Sequence, residues 1–282
     1  MSLGKRKGTL FSMINLLFLG EIVGRAGIQA LKNGLPALKE KYDVDYTIIN
    51  AEGMTNGYGI GKMHSLQLGK LGIDLSTGGE KLFYKIDMVE HIKKAGYMLR
   101  PYNMPPDCPG RGYRIQTIKD RKFLIANLIG NSDFSKLNAQ NAFLAAENLR
   151  KKAEEENAVL IVYFHAATTA EKNTMLCFLD GKAAAVVGTH TKILTADAHV
   201  TGNGTAYITD TGRVGSFMSV SGFEPDTEIK KMKGAIPIRS REAWLDGRIE
   251  GLLVSIDEQT LKAVDAITID EKVEVKKPEE KG

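Results

Sequence analysis

Val159-Leu160-Ile161-Val162-Tyr163-Phe164-His165-Ala166-Ala167-Thr168 is the stretch whose reading decides the fold. Its first six residues form a continuous β-prone apolar run, the pattern of a strand buried on both faces, and such strands belong to sheets covered by helices. The run stops at a histidine, which places an imidazole at a strand end. The preceding segment, 139–157, is rich in Ala, Glu, Leu and Lys and favours a helix. Residues 183–187 and 205–208 give two further strands.

Toward the N-terminus the alternation continues. Residues 15–19 read as a buried strand and 28–42 as a helix with Leu31, Leu35 and Leu38 on one face. Residues 46–49 are the next strand, followed by a glycine-rich loop through Gly61, a helix near 63–71 and a strand at 73–75. Residues 83–94 are helical, the prolines at 101, 105 and 106 mark turns, and 113–118 with 123–128 form an antiparallel pair. Toward the C-terminus, 236–242, 249–256 and 261–267 read as successive antiparallel strands. Alternating β and α units with a β-rich end predict one α/β domain over 13–270: two packed mixed β-sheets flanked by helices. Residues 1–12 are expected to be a disordered extension and 271–282 a frayed charged tail.

Bulk composition sets limits. The 282 residues are 43% hydrophobic and 26% charged, the balance of a globular protein, and the net charge of +4 gives no argument for nucleic acid. Cys108 and Cys177 are far apart and outside any C-x-x-C pattern, so both are read as packing residues in a reducing cytoplasm. Lys5-Arg6-Lys7 before an apolar run outlines a secretory signal, but the run leads directly into an ordered motif and lacks small-residue cleavage chemistry. No apolar stretch approaches the ~20 residues of a membrane span.

Five loops at strand ends carry acidic residues or histidines: Gly20-Glu21-Ile22-Val23-Gly24, Asn50-Ala51-Glu52-Gly53, Thr77-Gly78-Gly79-Glu80, Phe164-His165-Ala166-Ala167-Thr168 and Gly188-Thr189-His190-Thr191-Lys192. Two histidines and three glutamates on strand ends suit Mn, Fe or Zn. His64 and His91 fall on helices beside lysines and read as surface residues. His199 follows Asp197-Ala198 without a ligand role. Trp244 with Arg239, Arg241 and Arg248 reads as a late strand with a solvated face or as a binding surface.

In order and spacing these loops resemble the calcineurin-like metallophosphoesterases, in particular the bacterial branch that includes 2′,3′-cyclic-nucleotide phosphodiesterases. That branch has G-D-[IV]-V-G, G-E-N, G-N-H, H-x-E-x-T, G-T-H-T-H-x-x-T-A-D and G-T-A-Y-I-T-D. Here the last two read Gly188-Thr189-His190-Thr191-Lys192-Ile193-Leu194-Thr195-Ala196-Asp197 and Gly204-Thr205-Ala206-Tyr207-Ile208-Thr209-Asp210, and Arg100-Pro101-Tyr102-Asn103-Met104-Pro105 matches another family stretch. The resemblance implies a four-layer αββα sandwich and a two-metal centre that activates a water against a phosphodiester.

It also shows departures at that centre. The first aspartate is Glu21, the asparagine after Glu52 is Gly53, the Asn-His pair is Gly79-Glu80, the glutamate of H-x-E-x-T is Ala167, and the last histidine is Lys192. Glu21, Glu52, His165 and His190 remain as candidate metal ligands, with Gly53, Gly79, Glu80, Asn103 and Lys192 around them. Glu80 occupies the place of the histidine acid, so no catalytic residue is assigned. An ammonium cannot ligate a metal while protonated, so Lys192 is expected to replace one ion and pair with Glu21, sharing Glu52. The resemblance with these losses implies no metal or a single divalent ion at a partial site, and a pseudoenzyme acting by binding or scaffolding. The alternative is a weak mononuclear phosphodiesterase for cyclic nucleotides or a related diester. A protein partner or phosphate-bearing ligand and a homo-oligomer are the expected associations, without membrane.

Overall fold

The computed structural model describes residues 12–134 and 137–279; the basic cluster at 5–7 and the expected extension over 1–11 lie outside them. Two mixed sheets organise the chain. The first has the order β13 (Ala263–Lys272), β12 (Gly247–Asp257), β11 (Arg213–Ser216), β1 (Met13–Ile22), β2 (Tyr46–Asn50), β3 (Leu75–Thr77) and β4 (Met98–Leu99). The second has β5 (Tyr113–Ile118), β6 (Arg121–Ile129), β7 (Val159–His165), β8 (Ala185–Thr189), β10 (Ala206–Ile208) and β9 (His199–Val200).

Side-chain alternation along β1 shows how the layers form. Ile14, Leu16 and Phe18 point to the core between the sheets, where they meet Phe123, Ile125, Ile161 and Tyr163 of the second sheet. Leu17 and Leu19 point the other way, onto α1 (Gly24–Lys41), whose Leu31, Leu35 and Leu38 are the predicted apolar face. The outer face of the second sheet is covered by α4 (Ala142–Glu155) and α5 (Thr169–Leu179) through Ala146, Leu149, Met175 and Leu179. The result is the expected α/β arrangement of two packed mixed sheets flanked by helices. Tyr163 crosses between the sheets, its hydroxyl donating to Leu19 O at 3.2 Å, and burial holds its pKa well above the usual tyrosine value.

Several elements differ from the sequence reading. Residues 236–242 are not a strand: Pro237 has no N–H for a ladder, 236–239 face water, and only an isolated bridge joins Phe223 to Glu242. The segment instead follows α6 (Pro225–Gly234) as an irregular strap. The predicted frayed tail is docked as far as residue 276. β13 runs to Lys272, Val273 N donates to Gly247 O at 2.8 Å, Asn33 Nδ2 donates to Glu274 O at 2.9 Å, and Val273 and Val275 pack on the α1 core. Valines alternating with charges there form a half-buried edge, which composition alone cannot distinguish from a solvated tail. The strand placed at 73–75 begins at Leu75, because Ile73 N closes the preceding turn on Leu68 O. The helix at 63–71 is broken into α2 (Lys62–Ser65) and a 3₁₀ turn, and that at 83–94 shortens to α3 (Ile86–His91). The free Cys177 is exposed rather than packed, while Cys108 is partly buried.

Strand direction places the carboxyl ends of β1, β2, β3, β7 and β8 along one edge, where parallel sheets present their functional loops. A buried ion pair braces that edge: Lys172 Nζ of α5 lies 3.0 Å from Asp210 Oδ2, with the two side chains 1% and 0% exposed. Asp210 also accepts Thr191 N at 2.8 Å and Gly212 N at 3.0 Å, tying the loop after β8 to the turn before β11. Removing one partner of a buried pair leaves an uncompensated charge. Lys172→Met should therefore lower unfolding free energy by about 3–5 kcal/mol, read as a shift in urea midpoint at unchanged slope.

Candidate functional site

Each strand end supplies one group. Glu21 lies at the end of β1, Glu52 two residues beyond β2, Glu80 in the loop after β3, His165 at the end of β7 and His190 just after β8. Glu21, Glu52 and His165 are at most 1% exposed. The backbone that carries the last group is held against its preference: His190 has φ 113° and Lys192 φ 62°, the region that side chains other than glycine's rarely adopt. Arg213, itself buried, donates from Nη1 to Lys192 O at 2.7 Å and keeps the turn in place.

The chemistry divides into two halves. In one, Lys192 Nζ lies 2.9 Å from Glu21 Oε1, with Lys192 8% and Glu21 1% exposed. The contact has ion-pair distance without hydrogen-bond alignment, since neither Glu21 oxygen has an aligned donor. Glu52 is met by Lys81, a residue outside the sequence motifs, rather than being shared by Lys192. Lys81 N donates to Glu52 Oε1 at 3.1 Å, and Lys81 Nζ lies 3.4 Å from the same oxygen and 2.6 Å from Glu80 Oε1. Burial lowers the Lys81 pKa, but the charges of Glu52, Glu21 and Glu80 outweigh it and hold the ammonium above its ordinary value.

In the other half, Glu80 Oε2 lies 2.6 Å from His165 Nε2 and 3.6 Å from His190 Nδ1, while His165 Nε2 and His190 Nδ1 are 3.1 Å apart. Phe134 closes this side, its ring 5.8 Å from that of His165 and 5.1 Å from that of His190. Asn50 orients His165: its Oδ1 accepts Glu52 N at 2.9 Å, leaving Nδ2 3.1 Å from His165 Nδ1 as the donor. That arrangement puts the His165 proton on Nε2, directed at Glu80. Burial raises the Glu80 pKa, but hydrogen bonds from His165 and His190 outweigh it and hold the carboxyl well below the usual range. Glu52 moves the other way, pushed well above the ordinary value first by burial and then by the charges of Glu80 and Glu21.

The donor set tests the metal expectation. Ligand atoms of Glu80, His165 and His190 lie within 4.8 Å of one another, a geometry that can hold one cation. Glu52 Oε2 adds a buried oxygen with no hydrogen-bond partner, 3.7 Å from His165 Nε2. This half fits a divalent ion. The Glu21 half does not, because an ammonium stands against its carboxylate.

The glycines explain how the larger side chains fit. A Cβ at Gly53 would lie 2.5 Å from Glu21 Oε1, so the carboxylate occupies room that an asparagine at 53 would need. A Cβ at Gly79 would lie 2.1 Å from Glu52 Oε2 and 2.3 Å from His165 Nε2. Glu21 thus fills space that glycine at 53 leaves open, and Glu52 and His165 fill space that glycine at 79 leaves open. Of the other expected residues, Asn103 does not join the cluster. Its amide joins two segments, donating to Ile129 O at 2.8 Å and Gln140 O at 2.9 Å while accepting Ile129 N. His64 and His91 are half-buried on Thr55 and Tyr97, and His199 is exposed on β9.

The Glu21–Lys192 contact yields a stability test. Lys192→Met leaves Glu21 buried and unpaired and should cost about 3 kcal/mol, while Lys192→Met with Glu21→Gln should recover most of the loss. A double-mutant cycle by denaturant titration reads the coupling; additive losses would mean that the two groups do not interact.

The geometry agrees with the comparisons to known proteins. A family model described as YmdB-like protein matches residues 17–269. The chain is 34% identical over 251 residues, 89% of its length and 94% of the relative's, to a 2′,3′-cyclic-nucleotide 2′-phosphodiesterase of Bacillus subtilis (strain 168). It is 33% identical over 261 residues to a putative phosphatase/phosphodiesterase of Mycoplasma pneumoniae, covering 90% and 92% of the two chains. Among solved structures, a novel phosphatase from Mycoplasma pneumoniae superposes with a TM-score of 0.86 at 31% identity, covering 93% of this chain and 95% of that one. A hypothetical protein from Thermus thermophilus superposes at 0.83 with 28% identity, covering 92% and 99%. With its two-sheet architecture and strand-end cluster, the chain belongs to the YmdB-like family and carries the calcineurin-like metallophosphoesterase fold.

Proposed function

We propose that this family member has little or no phosphodiesterase activity and acts through binding, as a pseudoenzyme on a metallophosphoesterase scaffold. The observation that carries this reading is Lys192 Nζ, 2.9 Å from Glu21 Oε1. A fixed ammonium against that carboxylate supplies positive charge but no open coordination position, so the two-metal clamp of in-line displacement has lost one side. Lys81 adds a second internal cation between Glu52 and Glu80. Glu80, in the place of the family's histidine acid, is engaged as an acceptor from His165 and Lys81 rather than as a proton donor.

A second reading rests on the other half of the site. Glu80, His165 and His190, with the unpartnered Glu52 Oε2, would hold a single divalent ion. Such an ion supplies Lewis acidity at a phosphoryl oxygen. With Nε2 as the ligand atom, the His165 proton would sit on Nδ1, where Thr189 Oγ1 at 3.0 Å would orient the ring, and Phe134 would limit water on that side. The activity would then be a slow hydrolysis of a cyclic nucleotide or related diester, as the name of the Bacillus subtilis relative suggests.

Metal analysis by mass spectrometry on protein purified without chelator, together with manganese-supplemented hydrolysis of bis-p-nitrophenyl phosphate, separates the two. The expected result is far less than one metal per chain and no turnover. About one metal per chain, with hydrolysis that disappears in His165→Ala, would overturn the first reading and establish the second.

Volume exchange gives a further prediction. Gly53→Asn alone should destabilise the protein by about 1–3 kcal/mol through overpacking against Glu21. Combining it with Glu21→Asp should relieve the crowding at 53, and adding Glu80→His and Lys192→His should raise metal content toward two ions per chain. Melting temperature and metal stoichiometry check the two parts.

A further inference from the structure

A cleft of about 710 Å³ opens between the N-terminus of α1, the loop after Glu52 and the strap that follows α6. Its volume is that of a small-molecule site, and it shares none of its lining residues with the Glu21–Glu52–Glu80–His165–His190–Lys192 cluster. Five cationic side chains line it against two carboxylates. Arg25 is already matched, its Nε lying 2.9 Å from Glu242 Oε2. Lys85, Arg239 and Arg241 form no ion pair among the described residues. Three unmatched cations around one cleft repel one another, and the cost falls when an anion enters.

The wall is built rather than loose. Glu242 Oε1 accepts Arg25 N at 3.2 Å and so occupies the α1 N-terminus. Arg241 O accepts Glu224 N at 2.9 Å, and Ala243 N donates to Gly222 O at 2.9 Å, which fixes the strap on both sides of Glu242. Aromatic surface lies beside the cations. Trp244 stands under Arg25, whose Cζ is 5.6 Å from its ring, and Tyr58 stacks on Phe223 at 5.5 Å with its hydroxyl 3.5 Å from Ser240 Oγ. Trp244 Nε1 is buried without an acceptor. Planar guanidinium forks suit phosphate oxygens bidentately, and a flat aromatic wall suits a base.

We propose that this cleft binds an oligophosphate group, held by Arg239 and Arg241 and carried by a nucleotide. It is a ligand site separate from the phosphoesterase centre, so its occupancy does not depend on a metal there. Arg239 and Arg241 are exposed strap residues, and truncating them removes charge without opening the core.

Trp244 is the only tryptophan, so its fluorescence reports this cleft directly. Titration with ATP and, separately, with inorganic tripolyphosphate, with the tryptophan excited selectively in EDTA-containing buffer and paralleled by calorimetry, tests the site. Saturable quenching is expected. Affinity should fall about tenfold or more in Arg239→Ala/Arg241→Ala, in keeping with charge-assisted hydrogen bonds, and weaken as salt rises. Tighter ATP binding is expected and would uphold the nucleotide; equal binding of both probes would uphold the oligophosphate site and overturn the nucleotide as its carrier. No fluorescence or calorimetric response to either probe, or unchanged affinity in the double variant, would overturn it. The chelator makes this outcome independent of whether the phosphoesterase centre holds a metal.

Discussion

Three carboxylates, those of Glu21, Glu52 and Glu80, converge where two sheets end, two of them almost wholly out of water. Like charges brought together in a dry place cannot all stay ionised without compensation, and this requirement shapes the rest of the site. Lys192 meets Glu21, Lys81 lies between Glu52 and Glu80, and His165 donates to Glu80. What compensation does not reach shows in Glu52, whose pKa is pushed up and whose Oε2 is left without a partner. The site therefore balances its charge with side chains in one half and retains an appetite for a cation in the other.

Packing enforces the same arrangement. Glycine at 53 and 79 yields the volume that Glu21, Glu52 and His165 occupy, so neither position accepts a larger side chain within the existing space. The loop bearing His190 and Lys192 holds positive φ angles because Asp210 and Arg213 grip its backbone from below. Asp210 is in turn held by Lys172, so a buried pair on the outer helix layer reaches the orientation of Lys192 through one hydrogen bond. Strain at the loop and ionic bracing beneath it belong to one structure.

Much of this is legible along the chain. The apolar run into His165 marks a doubly covered strand, and the order of the strand-end loops brings Glu21, Glu52, Glu80, His165, His190 and Lys192 to one place. Lys81 escapes the motifs because it follows one rather than standing in it, and no periodic signal distinguishes an inward lysine from a solvated one. Asn103 has motif neighbours that match the family, whereas its amide is fully used in joining 129 to 140 and leaves nothing for the site. Residues 236–242 carry β-prone residues, yet Pro237 and exposure make them a strap. The tail has a composition dominated by charge, while Val273 and Val275 dock it.

The sequence by itself determined the α/β class and the strand-end positions of the polar loops. These are properties of local pattern and spacing, which the backbone periods of strand and helix turn into direction. Tertiary structure alone decided which charge meets which, how a glycine at 53 makes room for a carboxylate from β1, and that Arg25 and Glu242 would join to wall a basic cleft. Those outcomes depend on through-space distance between residues as far as 217 positions apart, a quantity that spacing along the chain does not contain.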